Sequence, residues 1–239
     1  MVACGPLSAI VFALQAAGGT SLRAHNWPAD VPTAELLANA RRSVAALGVY
    51  HGTLSRTERV RGKITGPDVA DVWVRETPHA VRMTLISGSN EGRRFLYNEA
   101  LRPGEMLVRK RFFSTWIDVD SWLIKRYSIH TLLDVGFGPL LQLITAEIDR
   151  AQRFGGFRRT DDPPGQGPGG SSCLQFDAPP GAEGLYSKHT RLCFDPRLQL
   201  PVFIEIHDDA GFLSRHEWRD VVGHQAVDDR FFTPQGAGM

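Results

Sequence analysis

From Val49 to Asp120 the chain is a series of strand-like segments separated by short turns, and this pattern constrains the fold more than any other feature. The segments read VYHGTLSRTE, VADVWVRE, HAVRMTLI, RRFLYN, EMLVRKR and FFSTWIDVD. Val72 and Val74 alternate with Asp71, Trp73 and Arg75, while Val81, Met83 and Leu85 alternate with Arg82 and Thr84. Such alternation marks antiparallel strands buried on one face only. Turn chemistry falls between the segments at Gly66-Pro67-Asp68, at Gly88-Ser89-Asn90 with Gly92, and at Arg102-Pro103-Gly104. Downstream, PLLQLITAEIDRAQRF opens with Pro139 at a favoured first-turn position. Leu140, Leu141, Ile144, Ile148 and Ala151 give it one apolar face, with Glu147, Asp149, Arg150 and Arg153 as its polar residues. The order predicts an α+β fold: a curved antiparallel sheet whose concave face this helix covers, as a lid over an apolar space.

Other elements fit around that frame. Leu36, Leu37, Ala40, Val44 and Leu47 recur at helical spacing, which predicts a helix over about 34–47, capped by Thr33 and stopped by Gly48. WLIKRYSIHTLLDVGFG reads as loop or short helix, with Gly136 and Gly138 bending the chain into the helix at Pro139. Residues 160–172, TDDPPGQGPGGSS, read as a flexible linker or exposed loop within one domain spanning 31–239. The last hairpin turns at Asp209-Ala210-Gly211. Its register sets Val202, Ile204 and Ile206 against Ser214, His216 and Trp218, with Glu205 opposite Arg215 on the wet face. Sliding by one residue would bury Arg215.

Composition narrows the function classes. A net charge of +1, from 27 basic and 26 acidic residues, leaves no basic footprint for nucleic acid. The 42% apolar content is enough for a real core. LSAIVFALQAAGG, followed by Leu22-Arg23-Ala24, reads as an export signal over residues 1–30, although MVACGP lacks the usual basic start. The run is shorter than the roughly 20 residues that span a bilayer. Cys4 precedes the apolar run rather than following it, so it reads as part of the signal. Cys173 and Cys193 lie on strand-like segments joined by a Pro-Pro-Gly turn region, and an oxidising compartment would predict a disulfide between them. The alternative is two buried free thiols.

Catalytic signatures are weak. No GxSxG element is present, and Gly136-Phe137-Gly138 is too short for a phosphate cradle. Asp118 and Asp120 share a strand face, where a solvated strand end is the favoured reading over acid–base chemistry. His207-Asp208-Asp209 and His216-Glu217 resemble a metal cluster, but the hairpin register sends His207 and His216 to opposite faces. They read as a surface turn and a hydrogen-bonded core histidine. No catalytic residue, metal or cofactor is expected. The expected cavity lining is Val81, Met83, Leu85, Phe95, Tyr97, Met106, Val108, Phe112 and Trp116 from the sheet, with Leu140, Leu141, Ile144 and Ile148 from the lid helix. Trp122 joins Trp116 as a candidate for the pocket mouth.

The order of these segments, from WVRETPHAVRMTL through WIDVDSWLIKRYSIHTLLDVGFGPLLQLI to DDRFFTP, resembles an exported bacterial family, domain of unknown function 1571. Trp73–Pro78 stands where that family has a K-x-R-x-x-P element, and Asp195–Val202 matches its D-x-x-x-x-L-P-V element. Tyr127-Ser128-Ile129-His130 departs from it, since the family usually has Pro after the aromatic residue. The family is similar in turn to the lipoprotein-carrier fold of LolA, LolB and RseB. The resemblance implies an unclosed antiparallel barrel with helices over an apolar cavity. The expected function is a non-enzymatic periplasmic binding or carrier protein for a lipid or acylated molecule. The alternative is a protein-interaction or envelope-sensing module with an envelope protein as partner.

Overall fold

The computed structural model describes residues 31–224 and 226–239, so the expected export signal and Cys4 lie outside the described residues. Helix α1 (Thr33–Leu47) leads into β1 (Val49–Val60), β2 (Lys63–Arg75), β3 (Ala80–Ser87), β4 (Arg94–Asn98), β5 (Glu105–Lys110) and β6 (Phe113–Asp118). A connection carrying the short helix α2 (Trp122–Lys125) and the long helix α3 (Phe137–Gln152) follows. Then come β7 (Arg158–Asp161), β8 (Ser172–Asp177), β9 (His189–Asp195), β10 (Leu200–Asp208) and β11 (Gly211–His224). All eleven strands form one sheet in the order β6-β5-β4-β3-β2-β1-β11-β10-β9-β8-β7. Every neighbouring pair is antiparallel. The sheet is two meanders joined where β1 pairs with β11, and its free edges, β6 and β7, do not meet. Among the described residues, no helix is long and apolar enough to cross a membrane.

The chain must travel from the β6 edge to the β7 edge, and it does so over the inner face of the sheet. There α1 and α3 close the main core. Leu36, Leu37, Ala40 and Val44 of α1 and Phe137, Leu141 and Ile144 of α3 are buried in one core with Tyr50, Leu54, Val72 and Val74, while Ala151 of α3 packs separately with Ala182 and Leu185. The expected unclosed antiparallel sheet with helices on one face is present. Its local details depart from expectation in several places. Thr33 is the first helical residue rather than the cap, and Pro32, at the cap position, offers no side-chain hydrogen bond. Helix α3 starts at Phe137, so Pro139 stands inside its first turn. Glu147 is buried on the apolar face of α3, where its Oε2 accepts from the Tyr186 amide at 2.7 Å and Arg150 pairs with its other oxygen.

Gly66-Pro67-Asp68 is not a turn. The β1–β2 reversal is made by Arg61 and Gly62, both left-handed (φ 52° and 77°) as a two-residue hairpin loop requires. Gly66 and Pro67 instead form a bulge in β2 opposite Thr57 of β1. Gly66 has φ 104°, and a Cβ there would sit 2.5 Å from the Arg56 carbonyl oxygen. Pro67, which has no N–H to give the ladder, is tolerated at the bulge. Segment 160–172 is not wholly loop: Thr160 and Asp161 end β7, Ser172 opens β8, and the residues between them are the β7–β8 connection. Asp162 is tied to Arg191 at 2.8 Å, and Ser171 and Ser172 are buried.

Expected one-sided burial fails over β2–β5. There the C-terminal segment folds onto the outer face, where Phe232 and Ala237 bury Ala80, Leu96 and Leu107. Arg82 lies 4.4 Å over the Phe231 ring, and Asn98 Nδ2 donates to the Phe232 carbonyl at 3.0 Å. The last hairpin keeps the expected register, with Ile206 opposite Ser214, Ile204 opposite His216 and Glu205 opposite Arg215. At its tip Asp208 pairs Gly211, so Leu213 is the extra residue that restores that register. Arg215 Nε donates to Glu205 Oε2 at 2.6 Å.

Cys173 and Cys193 are directly opposed on β8 and β9 and are disulfide-bonded. They lie 20 residues apart in sequence. Replacing both by Ala is expected to lower the unfolding free energy by about 3 kcal/mol in the chain-entropy account. A urea titration reads this as an earlier midpoint, and an unchanged midpoint would refute it.

The seat of α3 is made by Glu76, immediately after β2. Its Oε1 accepts from the Phe137 and Gly138 amides at 3.1 and 3.0 Å and from the Tyr50 hydroxyl at 2.6 Å. A carboxylate at a helix N-terminus meets both free N–H groups and the favourable end of the dipole. Gly136 and Gly138 do more than bend the chain, because a Cβ on Gly138 would sit 2.3 Å from Glu76 Oε2. Gly138→Ala is therefore expected to push the helix off its seat and destabilise by about 1–3 kcal/mol. Thermal unfolding of the variant tests this, and a melting temperature equal to the parent's would count against it.

Candidate functional site

Where α3 crosses β1, β10 and β11 the packing leaves a cavity of about 220 Å³. Leu54, Leu140, Leu143, Ile204, Ile206 and Trp218 supply its apolar wall, and Arg56, His130, Tyr186, Ser214 and His216 its polar one. A smaller apolar compartment of about 30 Å³ adjoins on one side, sharing Leu143, Tyr186, Ile204 and Ile206 and adding Phe157, Phe176 and Leu192. On the other side a cleft of about 60 Å³ shares Arg56 and His130 and is floored by Met83, Leu85, Phe95 and Met106. The spaces thus form a row along the inner face, with an apolar compartment at one end and then a cavity and a cleft that each combine an apolar floor with polar walls, Asp68, Asn90 and Arg93 belonging to the cleft.

The polar centre is organised by Glu58. The alternation of β1 points Tyr50, Leu54, Glu58 and Val60 into the core, which buries this carboxylate to 2% exposure. Its Oε2 accepts from the Ile129 amide at 3.2 Å, and its Oε1 takes the His130 Nδ1 contact at 2.7 Å. His130 Nε2 meets the Tyr186 hydroxyl at 3.0 Å. His216, opposite Arg56 across the β1–β11 pair, brings Nε2 to 3.4 Å from the same Oε1 without making a hydrogen bond. Arg56 places Nε 3.8 Å from that oxygen and donates from Nη1 to Ser128 Oγ at 3.1 Å. Ser128 Oγ in turn donates to the His130 carbonyl at 2.6 Å, closing the loop on itself.

Burial alone would raise the Glu58 carboxyl, but the contacts with His130 and His216 and the charge of Arg56 outweigh it and hold the group well below the carboxylate range. Burial pushes His216 down to about 4, so its imidazole is neutral near pH 7. Burial, then the negative charge of Glu58, raises the Tyr186 phenol above its ordinary value. Two imidazoles and one carboxylate converge here, a donor set of metal-binding kind.

The thirteen lining residues expected from sequence divide. Met83, Leu85, Phe95 and Met106 floor the cleft, Leu140 lines the central cavity, and Ile144 and Ile148 line the apolar compartment. Val81, Tyr97 and Leu141 are packed in the core, and Val108 lies at its margin. Phe112 lies in the β5–β6 turn and is 89% exposed, so it lines nothing. Trp116 faces the other side of the sheet, with the C-terminal cluster, under Arg102 at 4.5 Å. Trp122 is 63% exposed in α2. Asp118 and Asp120 are exposed, with Asp118 Oδ1 accepting from the Asp120 amide at 2.7 Å. His207 pairs with Glu205 at 2.9 Å, away from His216 as the register requires. His216 itself is in the core but is not hydrogen-bonded at Nε2, contrary to expectation. Sequence reasoning missed Glu58, His130, Arg56 and Tyr186. The available signal was the inward strand phase of Arg56 and Glu58, since a charge placed indoors needs partners.

No curated protein sequence matches the chain. Among solved structures it is similar to the Mycobacterium tuberculosis lipoprotein LppX, at 16% identity, covering 82% of this chain and 100% of that one with a TM-score of 0.46. It is similar to an uncharacterized conserved protein from Thermus thermophilus, at 11% identity, 82% and 90% coverage and a TM-score of 0.46. A LolA superfamily protein from Nitrosomonas europaea is 9% identical, with 86% and 99% coverage and a TM-score of 0.37. The family model of the protein of unknown function DUF1571 matches residues 48–235, most of the chain, and the chain belongs to that family.

Proposed function

We propose that this protein binds a lipid or acylated molecule under α3, as an exported carrier or binding protein. The observation that carries the reading is the row of spaces on the inner face, in which an apolar compartment adjoins a cavity with a polar wall. An amphiphile has the matching distribution: a chain for an apolar compartment and a polar head for Arg56, His130 and Tyr186. Burial of the chain would supply about 25 cal/mol per Å² before ordering costs. The rim supports the same reading. Ile129 lines the central cavity and Tyr127 the cleft, and both are exposed along with Leu123 and Trp122 nearby. An apolar mouth lowers the cost of passing an acyl chain in from a membrane surface. The disulfide fits an oxidising compartment outside the cytosol.

A protein-interaction role is the competing reading, and it has one observation in its favour. Strand β6 is an open sheet edge whose turn exposes Phe112 and Phe113.

A titration with a fluorescent fatty acid, joined to native mass spectrometry of protein purified without detergent, separates the two. Uptake is expected in the parent, and Leu143→Trp, which fills the space shared by cavity and compartment, is expected to weaken it by about tenfold, or 1.4 kcal/mol. A parent that takes up no fatty acid and carries no acylated species would sink the carrier reading.

A further inference from the structure

We propose that Glu58, His130 and His216 form a binding site for one divalent transition-metal ion of the zinc class, with an open coordination position toward the cavity. The site is independent of the lipid reading. Three separate segments supply it: β1, the loop after α2, and β11. One ligand atom from each lies within 4.8 Å of the other two. Four-coordinate zinc with bonds of about 2.0–2.1 Å holds its ligand atoms about 3.3 Å apart. Glu58 Oε1 and His216 Nε2, at 3.4 Å, already have that spacing, and His130 Nδ1, at 2.7 Å from Oε1, needs a small outward shift.

The second observation is His216 Nε2. It is buried, aimed at Glu58 and without a hydrogen-bond partner. A buried polar atom left in that state costs about 1–3 kcal/mol, and a metal ion between the ring and the carboxylate would remove the deficit. His130 has the other mark of a ligating imidazole. Its remote nitrogen is held by Tyr186 Oη at 3.0 Å, which fixes ring orientation once Nδ1 gives up its proton to make room for the ion. His130 and His216 both line the cavity, so a fourth ligand would enter from there. Its chemistry is that of a water, a carboxylate or a phosphate oxygen. Two nitrogens and one carboxylate favour Zn²⁺, Co²⁺, Ni²⁺ or Cu²⁺ over the oxygen-seeking Ca²⁺ and Mg²⁺. Arg56, 3.8 Å from the same carboxylate, opposes a cation by simple repulsion.

Full-length protein stripped with EDTA and then titrated calorimetrically with ZnCl₂ tests the site, with CoCl₂ as a spectroscopic stand-in. One equivalent is expected to bind, and Co²⁺ is expected to develop the intense visible absorption of a four-coordinate ion. His216→Gln and Glu58→Gln are expected to abolish binding. Tyr186→Phe, which removes only the outer partner, is expected to weaken it by about tenfold. Arg56→Gln is expected to tighten it. The last two variants remove no ligand, so they keep the test decisive should Glu58→Gln fail to fold. His207→Ala, in the separate pair with Glu205, is the control and is expected to bind as the parent does. Absence of binding to the parent at excess metal overturns the proposal. Binding that disappears in His207→Ala and survives in His216→Gln overturns it equally.

Discussion

Three carboxylates tie the connection between the two meanders to the elements around it: two bind it to the inner face of the sheet and the third binds it to the β8–β9 loop. Glu58 receives the Ile129 amide and His130 at the start of the crossing, Glu76 receives the first amides of α3, and Glu147 receives the Tyr186 amide beyond it. Each accepts from backbone N–H groups that regular structure leaves without partners. Hydrogen bonds to a charged acceptor contribute about 1.5–3 kcal/mol, more than a neutral contact would. The alternative, an all-apolar seam, would leave those amides buried and unsatisfied. The path of the chain makes the requirement unavoidable. Strands β6 and β7 are opposite edges of the sheet, and the segment joining them has to pass over one of its faces.

The pairing of β1 with β11 decides where this happens. It brings Arg56 opposite His216 and Glu58 opposite Ser214, at the seam between the meanders. The neighbouring bulge at Gly66 and Pro67 interrupts the β1–β2 ladder beside the same residues. Bulges commonly lie beside sites because they re-aim the strand locally. Here the seam gathers charge beside inner-face residues such as Leu54, Val72 and Val74 that are hydrocarbon. Desolvating Glu58 costs several kcal/mol, and the Ile129 amide, His130, His216 and Arg56 together offset that cost. The polar centre and the placement of the loop over it are therefore one structure: disturbing either exposes the other.

Much of the sheet was legible in the sequence because one-sided burial writes itself as alternation. Val72 and Val74 were readable as inward residues, and the final hairpin register was readable because a slip would have buried Arg215. Gly66-Pro67-Asp68 was misread because a bulge and a turn use the same residues; a glycine at positive φ serves both. Arg61-Gly62, which makes the true reversal, has only one strong turn residue. Phe112 sits in the β5–β6 turn, where no strand phase applies, and Trp116 departs from expectation for a different reason. An aromatic residue on a strand signals burial but not which face is covered, and the C-terminal segment that covers the outer face lies far away in sequence. Glu147 was assigned to the polar side of α3 by its charge alone. Its burial depends on the Tyr186 amide, which no helical periodicity reveals. Glu58 was invisible on the same ground: its compensating groups arrive from the α2–α3 connection and from β11.

The polarity of the cavity centre also limits what it can hold. A purely apolar ligand spanning the row would strip water from Arg56, His130 and Tyr186 and return no hydrogen bonds, which is costly for buried polar groups. A ligand with an oxygen-rich head would instead replace that water with charge-assisted contacts, while its chain occupied Leu143, Ile144, Ile148 and Phe176. A metal ion on Glu58, His130 and His216 would sharpen the same preference, since its open position takes an anionic or neutral oxygen and rejects hydrocarbon. Selectivity would then come from the middle of the row and affinity from its apolar end. Such a division would let one fold accept chains of differing length without loosening its demand on the head.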